Sequence, residues 1–277
     1  MEVGVAGRRL ILDAGLGIIP LGRQSRPSPE EPFVLLLTHL HRDHIEGLGF
    51  FAPIRYPDAH LVIYGPAPPE GSLEEFLRAQ FSPPLFPLPW DENSARRDVI
   101  EIHDGGTLLW EPDTPLPQYV PPDAVAPSDH DIVLVRIMHS WAHPQGVFLF
   151  RVEWNGRAFV YATDVEGYVG ADQQLIHFAH KADVIVHDAQ YTMAEYTDPV
   201  RCRQGWGHST PEMAIEVAQA ASIPCVILFH HDPQHDDDFL LAMEAEAQQR
   251  FPATFVAREQ MMLALTASGT VEHLAVP

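Results

Sequence analysis

Short apolar runs separated by polar, glycine-rich and proline-rich stretches recur along the chain, and they predict alternating strands and helices. Runs of four to seven residues flanked by turn residues are typical of buried strands, and longer amphipathic stretches are typical of helices. Ser72 and Glu75 match a helix capping box, and Asn155-Gly156 matches a hairpin turn. Strands are predicted at residues 2–5, 9–12, 33–37, 61–64, 99–102, 107–110, 132–137, 146–152, 158–162, 184–186 and 225–229, and helices at 44–51, 72–80, 175–180, 211–221 and 238–250. By itself the pattern predicts a mixed α/β fold.

The segment 82–131 interrupts this alternation. Its later part, near 112–131, contains six of the chain's 26 prolines and is predicted to be a surface excursion and not a core element. No composition change marks a linker there. The sequence therefore predicts a single domain over residues 1–277.

Composition excludes several classes of function. No apolar run reaches membrane-spanning length and no signal peptide is recognisable, so a cytoplasmic protein with no membrane partner is expected. The two cysteines, Cys202 and Cys225, are too few for a disulfide framework. The formal net charge is −21, with 17 Lys and Arg against 38 Asp and Glu. Because nucleic-acid backbones are bound mainly through lysine and arginine, a nucleic-acid polymer is disfavoured as a partner. A small anionic substrate remains compatible, since bound metal ions supply positive charge.

The segment Thr38–His44 places three histidines and one aspartate directly after a predicted buried strand. His39 and His41 are two residues apart and face the same side of an extended chain. Asp43 and His44 lie where the chain turns into the next helix. Imidazole and carboxylate groups together suit zinc or another borderline divalent ion. Four such groups at one strand end predict a metal site, and their spacing favours two ions over one.

The motif His-x-His-x-Asp-His at a strand end resembles the metallo-β-lactamase superfamily, which implies an αββα four-layer sandwich. Three later positions match the same family pattern: His143 in His-Pro-Gln-Gly, Asp164 after a strand, and His230 at another strand end. His139 and His231 are the competing assignments for the two histidines, and the family pattern favours His143 and His230.

The metal ligands that this resemblance implies form two groups joined by one bridging carboxylate. The first ion would be bound by His39, His41 and His143, the second by Asp43, His44 and His230, with Asp164 between them. Two ions about 3.5–4 Å apart lower the pKa of a bridging water and bind the oxygens of a displacement reaction. The expected cofactor is therefore two divalent ions, zinc first, with manganese or iron as alternatives.

A second segment, Gly205–Glu212, resembles the ribonuclease Z branch of the superfamily through its Gly-His-Ser-Thr sequence. In that branch a histidine in this setting donates a proton to the leaving oxygen. Ser209 and Glu212 are predicted to form a capping box for the following helix, which places His208 just before the helix N-terminus. Asp188, at the end of a predicted strand, matches the acidic residue that orients this histidine. His208 and Asp188 are therefore the predicted catalytic pair.

These resemblances imply a dinuclear-metal hydrolase that cleaves phosphodiester bonds of small substrates, cyclic nucleotides among them, with a metal-bridging hydroxide. One alternative is a ribonuclease Z-type tRNA 3′ endonuclease, which the net charge and the proline-rich, acidic segment 112–131 disfavour. The other is a non-hydrolytic metal-site sensing domain. The resemblance also implies a homodimer. Relatives usually carry a further strand and a glycine-rich loop ahead of the segment matching residues 2–15, so either this sequence starts late or an edge strand is absent, which would leave a sheet edge exposed beside the site.

Overall fold

Two units, Met1–Leu134 and Val135–Pro277, divide the chain in the computed structural model. The structure describes residues 1–28, 30–122, 131–168 and 170–274. Part of the predicted excursion, residues 123–130, therefore lies outside the described residues. Whether residues 1–277 form a single domain, as the sequence predicts, is not tested by this division and stays a prediction.

The first unit is built on a mainly parallel sheet. The strands of this unit are β1 (Glu2–Val5), β2 (Arg8–Leu12), β3 (Phe33–Leu36), β4 (His60–Gly65), β5 (Arg96–Glu101), β6 (Thr107–Trp110) and β7 (Gln118–Val120), of which β1 to β5 form the sheet. Its helices are α1 (Ile18–Gln24), α2 (Arg42–Ile45) and α3 (Leu73–Gln80), with 3₁₀ turns at Leu48–Phe50, Ala52–Arg55 and Trp90–Glu92. Strands β1 to β5 lie side by side in chain order, with β1 at the edge, and β6 pairs with β7 as a hairpin.

The register of this sheet aligns the ends of its central strands. Strands β2, β3 and β4 run parallel, and Leu36 lies opposite both Leu12 and Tyr64. Strand β3 is buried along its whole length, as expected for a parallel strand covered on both faces. The residues that follow Leu12 and Leu36 therefore emerge together at one edge of the sheet.

Six strands of the second unit lie side by side in one sheet. Its strands are β8 (Val133–Ser140, beginning at the unit boundary), β9 (Val147–Trp154), β10 (Arg157–Ala162), β11 (Val184–Asp188), β12 (Val226–Phe229) and β13 (Thr254–Val256), with a separate hairpin of β14 (Met262–Leu265) and β15 (Val271–Leu274). Its helices are α4 (Gln173–Ala179), α5 (Met193–Tyr196), α6 (Pro211–Ala221) and α7 (Asp237–Arg250). The sheet order is β13-β12-β11-β10-β9-β8.

Strands β10 to β13 are parallel, and their carboxyl ends also align. Ala162 lies opposite His187, and Asp188 lies opposite Phe229. Strand β9 instead joins β10 through the Asn155-Gly156 turn as an antiparallel hairpin. The alignment brings the segments that leave β10, β11 and β12 to one edge of the sheet.

Most predicted elements are found with shifted ends, but the helix predicted at 44–51 is wrong beyond Ile45, where α2 ends and a 3₁₀ turn follows at Leu48–Phe50. Several other elements were not predicted. Helix α1 has the sequence Ile-Ile-Pro-Leu-Gly-Arg-Gln, and its proline and glycine weaken the helical signal. Strand β7 lies inside the predicted excursion, which is therefore not wholly irregular. Helix α5 and strands β13, β14 and β15 were also missed, since they are short and no residue of β14 or β15 is buried.

Across the described ranges, no helix combines the length and apolar character needed to cross a membrane.

Candidate active site

The aligned strand ends of the first unit carry a cluster of polar side chains, here called the N-terminal cluster: Asp13, Thr38, His39, His41, Asp43 and His44. Buried strand β3 leads into it, and His41 is the N-cap residue of α2, which carries Asp43 and His44. The ring of His39 lies 4.5 Å from that of His41 and 4.2 Å from that of His44. Three imidazoles are thus crowded together at one strand end.

Asp13 holds this cluster together. Its carboxylate accepts hydrogen bonds from the backbone N–H of Thr38 at 2.8 Å and from the Thr38 hydroxyl at 2.9 Å, and its Oδ2 lies 2.9 Å from Nδ1 of His44. Burial alone would raise the pKa of the Asp13 carboxyl, but the charge of His44 and these hydrogen bonds outweigh it and lower the pKa. The buried carboxylate is therefore kept ionised beside His44.

The hydrogen bonds of the His39 and His44 imidazoles leave nitrogen lone pairs that could bind a divalent metal. A ring that uses Nδ1 for such a hydrogen bond carries its lone pair on Nε2, the usual second-shell arrangement of a histidine ligand. In His44, Nδ1 faces Asp13, and in His39, Nδ1 lies 3.0 Å from the Thr38 hydroxyl. His44 Nε2 in turn lies 3.3 Å from a carboxylate oxygen of Asp43. Imidazole and carboxylate donors so arranged suit zinc, manganese or iron.

The second unit carries its own group at the aligned ends of β10, β11 and β12, here called the C-terminal cluster: His143, Asp164, Asp188, His208 and His230. Nε2 of His230 lies 3.5 Å from Oδ2 of Asp164, and its Nδ1 lies 3.8 Å from Oδ2 of Asp188. Asp164 and His230 both have left-handed backbone conformations, with φ of 53° and 58°. Such strain in residues other than glycine persists where surrounding structure fixes it, and it concentrates at functional sites.

His143 joins this cluster from the loop between β8 and β9. Its Nδ1 lies 3.0 Å from the carbonyl oxygen of Gly207, and its Nε2 lies 3.9 Å from Oδ2 of Asp164. The competing residue His139 instead lies against aromatic rings, 4.5 Å from Trp141 and 5.3 Å from Phe148. The geometry within this unit therefore favours His143 over His139 as a ligand.

His208 and Asp188 are in direct contact. Nδ1 of His208 lies 2.7 Å from Oδ2 of Asp188, whose Oδ1 accepts a hydrogen bond from the backbone N–H of Ser209 at 2.7 Å. The Asp188 side chain is fully buried. The His208 ring stacks on His230 at 5.0 Å and lies 5.0 Å from the ring of His143. The carboxylate thus fixes the tautomer of a histidine that lies among the predicted ligands.

Two overlapping triads in this cluster have spacings suited to metal binding. Ligand atoms of His143, Asp164 and His208 lie within 4.8 Å of one another, and so do those of Asp188, His208 and His230. His208 and Asp188 therefore have a second available role, as ligands. The geometry by itself is compatible with either role.

A model of the beta-lactamase superfamily domain matches residues 8–231 of this sequence, which is most of the chain. The chain belongs to the beta-lactamase superfamily. Superfamily membership and the histidine–aspartate clusters identify it as a metal-dependent hydrolase.

Sequence relatives within the superfamily carry the name ribonuclease Z, which confirms the predicted resemblance to that branch. The chain is 27% identical to ribonuclease Z of Prochlorococcus marinus (strain NATL1A), over 84% of this chain and 82% of the relative. It is 24% identical to ribonuclease Z of Enterococcus faecalis (strain ATCC 700802 / V583), over 90% of this chain and 85% of the relative. These names weaken the argument from net charge against a nucleic-acid partner.

Solved structures confirm the predicted metallo-β-lactamase fold. The metallo-beta-lactamase fold protein YhfI from Bacillus subtilis superposes with a TM-score of 0.60 at 16% identity, covering 98% of this chain and 90% of that one. The short form of human tRNase Z gives a TM-score of 0.60 at 16% identity, covering 100% and 91%. At these identities the likeness establishes the fold alone.

Glu166 is a residue of this superfamily member that the sequence analysis missed. Its Oε1 accepts hydrogen bonds from the backbone N–H of Gly205 at 2.7 Å and from the Tyr196 hydroxyl at 2.5 Å, and its Oε2 accepts one from the N–H of Gly207 at 2.8 Å. Burial and the bond to Glu166 raise the pKa of the Tyr196 hydroxyl, so it remains a donor. Gly207 has φ +89°, and a Cβ there would overlap His143. Glu166 therefore fixes the loop that leads into His208.

The predicted capping box of Ser209 and Glu212 is wrong. The N-cap residue of α6 is Thr210, and it makes no side-chain capping hydrogen bond. Ser209 is fully buried, and its hydroxyl donates to the carbonyl oxygen of Val165 at 2.6 Å. The Ser209 side chain is therefore unavailable for capping, because it anchors the His208 loop to the segment after Asp164.

Other histidines near the C-terminal cluster have different surroundings. His187 is buried, with Nδ1 2.8 Å from the carbonyl oxygen of Asp188, and burial lowers its pKa. Burial and the neighbouring histidines lower the pKa of His231 to about 4, so its ring is neutral. His235 lies 2.9 Å from Glu195 through Nε2. Asp236 caps α7, as expected for the acidic start of a helix.

Asp13 was also absent from the predicted site. Its sequence signal is weak, because it is one aspartate in a glycine-rich turn. It lies at the end of an apolar strand, however, as Asp188 does at the end of β11. A search for aspartates at the ends of apolar strands would have selected both.

Proposed function

We propose that the chain is a dinuclear-metal phosphodiesterase that acts on small substrates, cyclic nucleotides among them. The single observation that carries this proposal is the contact of His208 with buried Asp188, beside His143, Asp164 and His230. Cleaving a P–O bond places negative charge on the leaving oxygen, and a histidine held by a carboxylate is a suitable proton donor for it.

The proposed ligands are the seven residues of the family pattern. They are His39, His41, Asp43, His44, His143, Asp164 and His230. Bound divalent ions would activate a water and bind the phosphoryl oxygens. Zinc is the first expectation from the histidine-rich donor set, and manganese and iron also fit. The proposed homodimer is tested by light scattering of the purified protein.

The protein's own residues account for the rest of the proposed chemistry. Asp188 fixes the tautomer and orientation of His208, so that Nε2 can hold the proton for the leaving group. Glu166 and Ser209 position the backbone on either side of His208. Asp13 orients His44 and, through Thr38, the start of the metal-binding segment.

The test is a hydrolysis screen of zinc- or manganese-loaded protein with bis-p-nitrophenyl phosphate, the cyclic mononucleotides, a lactone and a tRNA precursor. Phosphodiesters should be hydrolysed, and small ones with higher kcat/KM than the precursor. Hydrolysis of the lactone without any phosphodiester hydrolysis would refute the assignment.

A second candidate is a tRNA 3′ endonuclease, which is favoured by the relatives named ribonuclease Z. Against it stands the net charge of −21. The same screen separates the two functions, because specific cleavage of the precursor at its 3′ end, faster than of any small ester, would select the endonuclease.

A further inference from the structure

Arg203 differs from most arginines of the second unit in what surrounds its charge. Five arginines of this unit each have a carboxylate partner within 4.0 Å: Arg136, Arg151, Arg157, Arg250 and Arg258. Among the residues that the structure describes, Arg203 has no carboxylate at that distance. Its guanidinium carbon instead lies 4.7 Å from the ring centroid of Trp206 and 5.5 Å from that of Tyr191.

The surroundings of Arg203 connect it to the His208 loop. Its backbone N–H donates to the carbonyl oxygen of Tyr196, and its carbonyl oxygen accepts from the N–H of Trp206, both at 3.2 Å. The centroid of the Tyr191 ring on which it lies is 6.0 Å from the centroid of the His208 ring. The two separations place the guanidinium within about 12 Å of the His208 ring. Arg203 is therefore a partly buried cation close to the proposed proton donor.

Aromatic contacts leave the hydrogen-bonding capacity of an arginine available. A guanidinium over an aromatic ring is stabilised by cation–π attraction, while its N–H donors lie in its own plane and point away from the ring. Planar N–H pairs match phosphate oxygens in bidentate geometry. Such a preorganised cation favours an anion more than a freely moving surface arginine does.

We propose that Arg203 binds a second phosphate of the substrate, beyond the phosphodiester that is cleaved. This inference rests on the proposed function and narrows it to substrates with two phosphates, such as a nucleoside 5′-diester that also carries a 3′-phosphate. Trp206, with 53% of its surface exposed beside Arg203, is available to the organic part of such a substrate. Arg203 then determines specificity and takes no part in the bond cleavage.

The test compares two esters with the same leaving group: thymidine 5′-(p-nitrophenyl phosphate) and its 3′-phosphorylated form. Arg203→Gln should lower kcat/KM for the 3′-phosphorylated ester roughly 10- to 100-fold, mainly through KM, as expected for a lost hydrogen bond to a charged group. The ester with one phosphate should change less than about threefold. For the 3′-phosphorylated ester, Arg203→Lys should lower kcat/KM less than Arg203→Gln does, because lysine keeps the positive charge but not the planar pair of N–H donors. Arg136→Gln, at an arginine on β8 that pairs with Glu153, is the matched control and should change neither ester.

Equal losses on both esters would mean that Arg203 shapes the loop, and no loss on either would also overturn the inference. Calorimetric titration with thymidine 3′,5′-bisphosphate and thymidine 5′-phosphate provides a readout independent of hydrolysis. If the wild type hydrolyses neither ester, the proposed function fails. Tighter binding of the bisphosphate that Arg203→Gln abolishes would still support the subsite, and equal binding by both proteins would reject it.

Discussion

Replacing Asp13 by asparagine should weaken metal binding by changing the tautomer of His44. Asparagine keeps the shape of the side chain, and its oxygen can still accept the two hydrogen bonds from Thr38. Its amide nitrogen would then face Nδ1 of His44, where the carboxylate Oδ2 now lies at 2.9 Å. Because two donors cannot share that contact, the ring proton should move to Nε2 and remove the lone pair proposed to bind metal. A change of this kind in the second shell typically costs 10- to 100-fold in metal affinity.

Metal affinity is measured by competition with a chromogenic chelator, and stability by urea unfolding of the metal-free protein. The metal-free variant should lose about 1.5–3 kcal/mol, the usual contribution of a hydrogen bond to a charged group. The lowered pKa of Asp13 gives the sign of the pH effect. The ionised Asp13 carboxylate contributes its full stabilisation above the unfolded-state pKa of about 3.9. That contribution is lost as the pH falls through the folded-state pKa. As the pH falls, the free energy of unfolding of Asp13→Asn should therefore decrease less than that of the wild type.

The chain offers a matched control in the same unit. Asp98 lies 2.7 Å from Nε2 of His60, so Asp98→Asn disturbs an aspartate–histidine pair outside the N-terminal cluster. That variant should bind metal as the wild type does. Metal affinity of Asp13→Asn equal to that of Asp98→Asn would refute the proposed role of Asp13, whatever happens to stability.

Three further predictions concern the metal content, the proton donor and the cysteines. Elemental analysis should find two divalent ions per chain, and Asp164→Ala should lose metal as well as rate; one ion or none in the wild type would contradict the dinuclear assignment. His208→Ala should retain both ions but lose roughly 10²–10⁴-fold in rate, with smaller losses for p-nitrophenolate esters than for alkyl esters, whereas loss of an ion would identify His208 as a ligand. Burial raises the pKa of the Cys225 thiol to about 11, so a thiol reagent at pH 8 should label exposed Cys202 alone in the native protein, and two labels would show that the core opens.

Local sequence signals were sufficient for much of the fold. The capping box of Ser72 and Glu75 and the turn at Asn155-Gly156 are both present, because each depends on residues close together in the chain. Short apolar runs bounded by turn residues located the main strands, whose parallel pairing then fixes where their ends lie. The contact of His208 with Asp188 was predicted from family resemblance and is present, although its role stays a prediction.

Features that depend on distant residues could not be predicted in this way. Ser209 satisfies the sequence rule for a cap, but its hydroxyl is bound by Val165, 44 residues away in the chain. Glu166 makes its hydrogen bonds to residues 30 to 41 positions later, and nothing in its immediate sequence indicates them. Such contacts exist only after the sheet has assembled.

The attachment of the Gly205–Gly207 backbone to Glu166 has a consequence for how this protein can change during evolution. The Glu166 carboxylate holds the backbone at Gly205 and Gly207, whereas the Trp206 side chain is exposed and the Arg203 guanidinium lies over its ring. Substitutions at these two positions can therefore alter which molecules are accepted without moving His208. Under the proposed function, Arg203 and Trp206 are therefore the positions to randomise in directed evolution toward new phosphodiesters, because the backbone that carries His208 is held independently of their side chains.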